Sequence, residues 1–194
     1  MQKQISIDIL EKIEKLVEDA CRSDSNVFGY GIWTHHIKCV TEKAKELAVT
    51  FKADSEIVEI AALLHDYSGI KDYSLHKEHH TQSAIMAGEI LKRLNYPEQK
   101  IEAVQHCIEN HRGSVPGMRN TVEAECLANA DAIAHIENIP SLLYLTFVQF
   151  KMDIDEGTEW VGKKIERSYK KLNPILQEEM LPKYQAALTL LNDI

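Results

Sequence analysis

Apolar residues recur at three- and four-residue intervals through nearly every long segment of this chain, and no segment alternates like a half-buried strand. Ile9, Ile13, Leu16, Val17 and Ala20 mark a first helix over Ser6 to Cys21. Arg22 to Gly31 is polar, contains two glycines and is expected to be a loop. Thr34 is positioned to cap a second helix with the stripe Val40, Ala44 and Leu47. Asp54 or Ser55 caps a third, which closes on His65-Asp66. Tyr67 to Glu78 has no helical period and is expected to be a loop. A fourth helix covers His79 to Leu94 and stops at Asn95-Tyr96-Pro97. Pro97 starts a fifth, which runs to about His111. Gly113-Ser114-Val115-Pro116-Gly117 is a break. Thr121 caps a sixth helix reaching about Asn138, and Pro140 restarts the chain. Helices from about Thr158 to Leu172 and after Pro174 complete an all-α reading: one compact helical bundle over residues 1–194, without repeats or linkers.

The 194 residues suffice for one sizeable core, and 44% hydrophobic with 27% charged residues is ordinary for a globular protein. No apolar run approaches the ~18 residues that span a bilayer. The N-terminus has no signal-peptide stretch. The chain therefore reads as cytoplasmic, with no membrane partner. Cys21, Cys39, Cys107 and Cys126 form no CxxC pair and are expected to be buried free thiols. A net charge of −8 argues against general nucleic-acid binding. It also requires that any attraction for an anionic substrate be local, from metal ions and a few basic residues.

Candidate chemistry centres on His65-Asp66, at the end of the apolar run from Ile57 to Leu64. An imidazole and a carboxylate side by side at a helix end can reach one metal ion, and the carboxylate keeps a second oxygen to bridge to another. His36 lies within about a tenth of a turn of Val40 and Leu47, so it points inward. His79 opens a helix on the side of Ser83 and Ala87. His111 ends one on the face of Ile101, Val104 and Ile108. Asp131 lies inside the run Leu127 to Ala134, where an unpaired carboxylate is costly to bury.

Other residues keep alternatives open. His80 competes with His79, because helix starts are uncertain by a residue or two, and it can instead face substrate. His106 lies about 140° around a regular helix from His111, so the two cannot both enter one site, and His111 shares the apolar face better. His135, one turn after Asp131, can orient it, touch substrate or pack. Arg112 suits phosphate or a surface salt bridge. His35 is rotated off the stripe, His76 falls in the expected loop, and Tyr30 and Trp33 suit pocket wall or core. The basic cluster Lys163, Lys164, Arg167, Lys170 and Lys171 reads as a solvated face.

The series His36-x-x-x-Val40, His65-Asp66, His79-His80-x-x-Ser83-Ala84, Ile108-x-x-His111 and Ala130-Asp131-Ala132 resembles the HD-domain superfamily of metal-dependent phosphohydrolases, over roughly residues 30–136. The resemblance implies a helical fold around a metal centre, with the C-terminal helices over 141–194 packed on it. One ion would be held by His36, His65, Asp66 and Asp131. A second would be held by His79 and His111, with Asp66 bridging. His65 and Asp66 would then be catalytic, and a metal-bound hydroxide would attack phosphorus in line. One or two ions of Mn, Fe, Co, Ni or Zn suit such ligands. The implied substrate is a small phosphate ester or anhydride, foremost a nucleotide, with Arg112, His80 and His135 as candidate contacts.

Departures from the family pattern narrow this expectation. Many members carry a lysine three residues after the aspartate. Here that residue is Gly69, and Lys71 is the nearest lysine. Asp72 and Glu78 only loosely match the acidic pair of some nucleotide pyrophosphatases. The GYP signature of cyclic-dinucleotide phosphodiesterases is absent after His111. Two rival expectations stand beside the hydrolase: an HD-type di-iron oxygenase cleaving C–C or C–P bonds, and a nucleotide-binding sensor without turnover. Leu142, Leu143, Tyr144, Leu145, Phe147 and Val148 would form a homodimer patch if exposed.

Overall fold

The apolar stripes become helices throughout the structure, a computed structural model that describes residues 2–112 and 119–192. In chain order they are α1 (Gln2–Cys21), α2 (Lys38–Phe51), α3 (Ser55–Leu64), α4 (Tyr67–Lys71), α5 (His79–Arg93), α6 (Glu98–Glu109), α7 (Val122–Glu137), α8 (Ile139–Tyr144), α9 (Ile154–Lys171) and α10 (Pro174–Asn192). A π-helical turn at Trp33–Ile37 runs into α2, and a second, at Leu145–Gln149, follows α8. A 3-10 turn at Tyr73–Glu78 runs into α5. There is no strand among the described residues, and none of their helices is long and apolar enough to cross a membrane.

Capping sets several boundaries. The Asp54 carboxylate accepts hydrogen bonds from the Glu56 and Ile57 amides, so Asp54 rather than Ser55 starts α3. Thr121 caps α7 by accepting from Ala124. Asp153 accepts from Glu156, which starts α9 at Ile154, earlier than the expected Thr158. Thr34 does not cap a helix. It lies inside the first π-helical turn, and its hydroxyl bonds the Gly31 carbonyl and the His35 ring. The expected loop from Tyr67 to Glu78 is helical, in two pieces too short to display a period. The glycine-containing break at 113–117 lies outside the described residues.

α7 sits at the centre. It buries every residue from Cys126 to Ile136, and a helix that is apolar all round has to be enclosed by others. α2, α3, α6, α9 and α10 all pack on it. Ala128, Ala130, Ala132 and Ala134 keep its surface low, so these neighbours come close. α9 approaches the second π-helical turn so closely that a Cβ at Gly157 would lie 2.3 Å from the Phe147 ring. The apolar run after Pro140 divides: Leu142 is buried, Leu143 and Leu145 pack on the core, and Tyr144 and Val148 are exposed. Trp33 is core, and the Tyr30 hydroxyl bonds Glu18. The four cysteines are unpaired thiols.

Candidate metal centre

Three histidines stand at the ends of helical turns. His65 follows α3, His79 follows the 3-10 turn, and His111 comes just after α6. In each, Nδ1 lies 2.6–2.7 Å from the carbonyl oxygen three residues earlier, those of Ala62, His76 and Ile108. Turn ends leave carbonyls with spare accepting capacity. A ring nitrogen at that distance donates, which assigns the proton to Nδ1 and leaves Nε2 as a lone pair facing inward. Anchoring of this kind is what orients metal-binding imidazoles.

The inward atoms meet at Asp66. Its Oδ2 is 3.2 Å from His36 Nε2 and 3.3 Å from His65 Nε2, and its Oδ1 is 3.4 Å from His79 Nε2. Asp131 Oδ1 lies 3.6 Å from His36 Nε2 and 4.0 Å from His65 Nε2. The His36 and His65 Nε2 atoms are 3.3 Å apart, and those of His79 and His111 are 3.2 Å apart. Ligands about 2.1 Å from one ion are separated by about 3.0–3.4 Å, so these spacings are those of a coordination shell. His79 and His111 both carry their protons on Nδ1, so their Nε2 lone pairs face each other and repel until a cation joins them. Neutral imidazoles and carboxylates fit a divalent transition metal. Two groups can each gather on one ion: His36, His65 and Asp131, and His65, Asp66 and His111.

The electrostatics leave these groups ready to bind a metal. Burial alone would raise the Asp66 carboxyl, but His65, His36 and His79 more than reverse this and hold it well below the usual range. Asp131 is likewise held low against burial by His135, Lys171 and Lys164. Burial, reinforced by the charge of His65, holds His111 far below an ordinary histidine. His65 goes the other way: burial lowers it, but Asp66 outweighs burial and raises it.

Above this floor opens a cavity of about 380 Å³, in the size range of small-molecule sites. Asp66, His79, His111, Asp131, His135 and Arg112 line it. His135 stacks on His36 at 4.9 Å between centroids and places Nδ1 3.5 Å from Asp131 Oδ1. Arg112 donates to the Lys77 carbonyl. His80 is buried outside the cavity lining, with Nδ1 lacking a hydrogen-bond partner, and His106 also lies apart, its Nδ1 beside the Asn110 amide. His35 is exposed and turns toward Thr34. His76 does not dangle in a loop: it stacks on His79 at 5.3 Å and lines the cavity. Asp72 is spent in capping the 3-10 turn through Ser74.

The expectation of a solvated basic face fails for Lys164 and Lys171, which are partly or wholly enclosed, and holds for Lys163, Lys170 and Arg167, which are exposed. Lys164, Arg167 and Lys171 line the cavity with Trp160 and Ser168. The Lys171 side chain is only 4% exposed; its ammonium bonds Asp131 Oδ2 at 2.5 Å and the His111 carbonyl at 3.2 Å. The signal was present in the spacing. Lys164 and Lys171 fall three and ten residues after Val161, alongside Ile165, Ser168 and Leu172, which form the buried stripe. Lys163 and Lys170 lie outside it, exposed and paired with Glu159 and Glu166.

Comparison with known proteins bears on the fold and the family. Bacillus subtilis YpgQ superposes with a TM-score of 0.68 at 19% identity, covering 97% of each chain. The same protein in complex with ADP superposes with a TM-score of 0.65 at 18% identity, over 95% of this chain and 94% of that one. A predicted HD superfamily hydrolase from an uncultured Thermotogales bacterium gives 0.56 at 22% identity over 91% of each chain. No curated protein matches the chain. The sequence profile of the HD domain matches residues 33–136, more than half of the chain and the whole span from His36 to Asp131, and the chain therefore belongs to the HD-domain family.

Proposed function

We propose that this protein is a metal-dependent phosphohydrolase acting on a phosphate ester or anhydride of the nucleotide type. One ion would be held by His36, His65, Asp66 and Asp131, and a second by His79, His111 and the other oxygen of Asp66. The observation that carries this reading is the division of Asp66, whose two oxygens face different sets of histidine nitrogens on the floor of a cavity with a basic wall. Divalent metal, when bound, supplies Lewis acidity and makes water acidic near neutral pH.

The chain's own residues do the rest. The carbonyl-anchored imidazoles of His65, His79 and His111 keep their lone pairs aimed without rearrangement. Lys171 occupies the outer oxygen of Asp131 and leaves Oδ1 facing the centre. His135, its proton affinity lowered chiefly by burial, packs against His36 and steadies it. Arg112, beside the floor, offers planar donors to phosphoryl oxygens. Trp160 gives the cavity an aromatic face suited to a base, and the ADP bound by the structurally similar YpgQ supports a nucleotide.

Elemental analysis of protein purified without chelator, followed by a nucleotide hydrolysis panel with Mn²⁺, tests this reading. Two ions per chain and hydrolysis are expected, and Asp66→Ala is expected to lower activity by at least about 10²–10³-fold. Full activity in Asp66→Ala would sink the mechanism. Oxygen uptake by iron-loaded protein with C–C or C–P cleavage would replace it with the oxygenase reading, and tight nucleotide binding without product would replace it with the sensor.

A further inference from the structure

Two parts of the cavity attract anions, and the metal centre is only one of them. On α9, Lys171 is committed to Asp131 and the His111 carbonyl. Lys164 and Arg167, on the turns before it, line the same cavity, yet make no hydrogen bond or ion pair among the described residues. The outward lysines of this helix are paired with its own glutamates. α9 thus pairs Lys163 and Lys170 within the helix and Lys171 with Asp131, and leaves Lys164 and Arg167 without a hydrogen bond or contact ion pair on the cavity side. Lys164 is half-buried, with the charges of Asp131 and Asp66 acting on it, and Arg167 lines the cavity while remaining exposed, so both keep donors free for an arriving anion.

On the metal centre's own flank Arg112 is the cation at hand, and the helix that follows Asp66 adds none to the lining. Where the family resemblance leads one to expect a lysine, Gly69 stands buried under His76, and a Cβ there would already lie 3.5 Å from the His76 ring. We infer that Lys164 and Arg167 form a second anion subsite, which holds the phosphoryl group that is not attacked, and that the substrate is therefore a phosphoanhydride with at least two phosphoryl groups. The choice of reaction rests on the hydrolase reading above, whereas anion binding by the subsite does not. In the reaction, a water oxygen forms the new P–O bond and the bridging P–O bond breaks. The departing phosphate keeps the electron pair and lies against Lys164 and Arg167. The proton lost by water goes to solvent.

Calorimetric titration of inorganic pyrophosphate and inorganic phosphate, into both metal-loaded and metal-free protein, tests the subsite directly. Wild type is expected to bind pyrophosphate at least about tenfold more tightly than phosphate. Lys164→Met is expected to weaken pyrophosphate by about 10- to 100-fold and phosphate by less, with Lys164→Arg restoring most of the loss. Arg167→Met should act in the same direction, and circular dichroism melts would verify folding of each variant. Equal affinity for the two anions in wild type, or a preference that survives in both methionine variants, would overturn the inference. Hydrolysis of AMP and ADP separates the two claims. A pyrophosphate preference without turnover of either nucleotide leaves the subsite standing and removes the hydrolase. Turnover of AMP over ADP, with equal anion binding, does the reverse.

Discussion

His65, His79 and His111 on the floor of the cavity are each tied to a carbonyl of their own helical turn, whereas Lys164 and Arg167 on its wall make no hydrogen bond or contact ion pair among the described residues and depend on where α9 packs. The floor is therefore set by local structure and the wall by long-range packing. A rigid floor suits small ions, whose ligand distances tolerate only tenths of an ångström. A looser wall of long side chains suits a larger and more variable ligand. Lys171 joins the two regions, since one ammonium connects α9, α7 and the end of α6.

The strongest way to break this comparison is to remove floor ligands one at a time. His111→Ala should leave one ion per chain where Asp66→Ala leaves none, as elemental analysis would show. Loss of both ions in His111→Ala would mean that the two halves of the floor are not separable. Next in size is the link between floor and wall. Lys171→Met frees the outer oxygen of Asp131 and should weaken metal binding by about 10- to 100-fold in a chelator competition. Unchanged affinity would show that packing alone positions Asp131.

The smallest effect separates the halves of the floor by pH. Protons compete with metal more strongly at His65, whose proton affinity is raised because Asp66 outweighs burial, than at His111, whose proton affinity burial lowers. As pH falls from 7.5 toward 6, the ion beside His36 and His65 should therefore weaken more than its partner, by at most about tenfold per pH unit. Metal titrations at the two pH values would check the order, and equal weakening would remove the distinction.

The same division decides what could be read from the chain. His65, His79 and His111 are legible because each stands at a helix boundary marked by apolar periodicity, and Asp131 because a lone carboxylate among alanines demands an explanation. Gathering these residues in space needs the fold, but their inward faces follow from local spacing. The π-helical turn that carries His36 was not legible, because no propensity distinguishes five residues of wide turn from the start of α2. α4 is not legible, because five residues are too few to show a period. Lys164 and Lys171 are hidden in a run of charged residues that reads as solvated, although both lie beside the buried stripe of a helix anchored closely beside Phe147 at Gly157.

The carbonyl anchors on the three histidines carry a consequence for ion choice. Calcium requires six to eight oxygens at 2.3–2.6 Å in a shell that can swell, and magnesium prefers oxygen and retains its waters. Imidazoles pinned from behind can neither retreat to admit a larger ion nor be exchanged for oxygens. On the metal-centre reading, the two hard divalent cations most abundant in biological fluids would be poor competitors here, and loading would follow the supply of scarcer, softer metals.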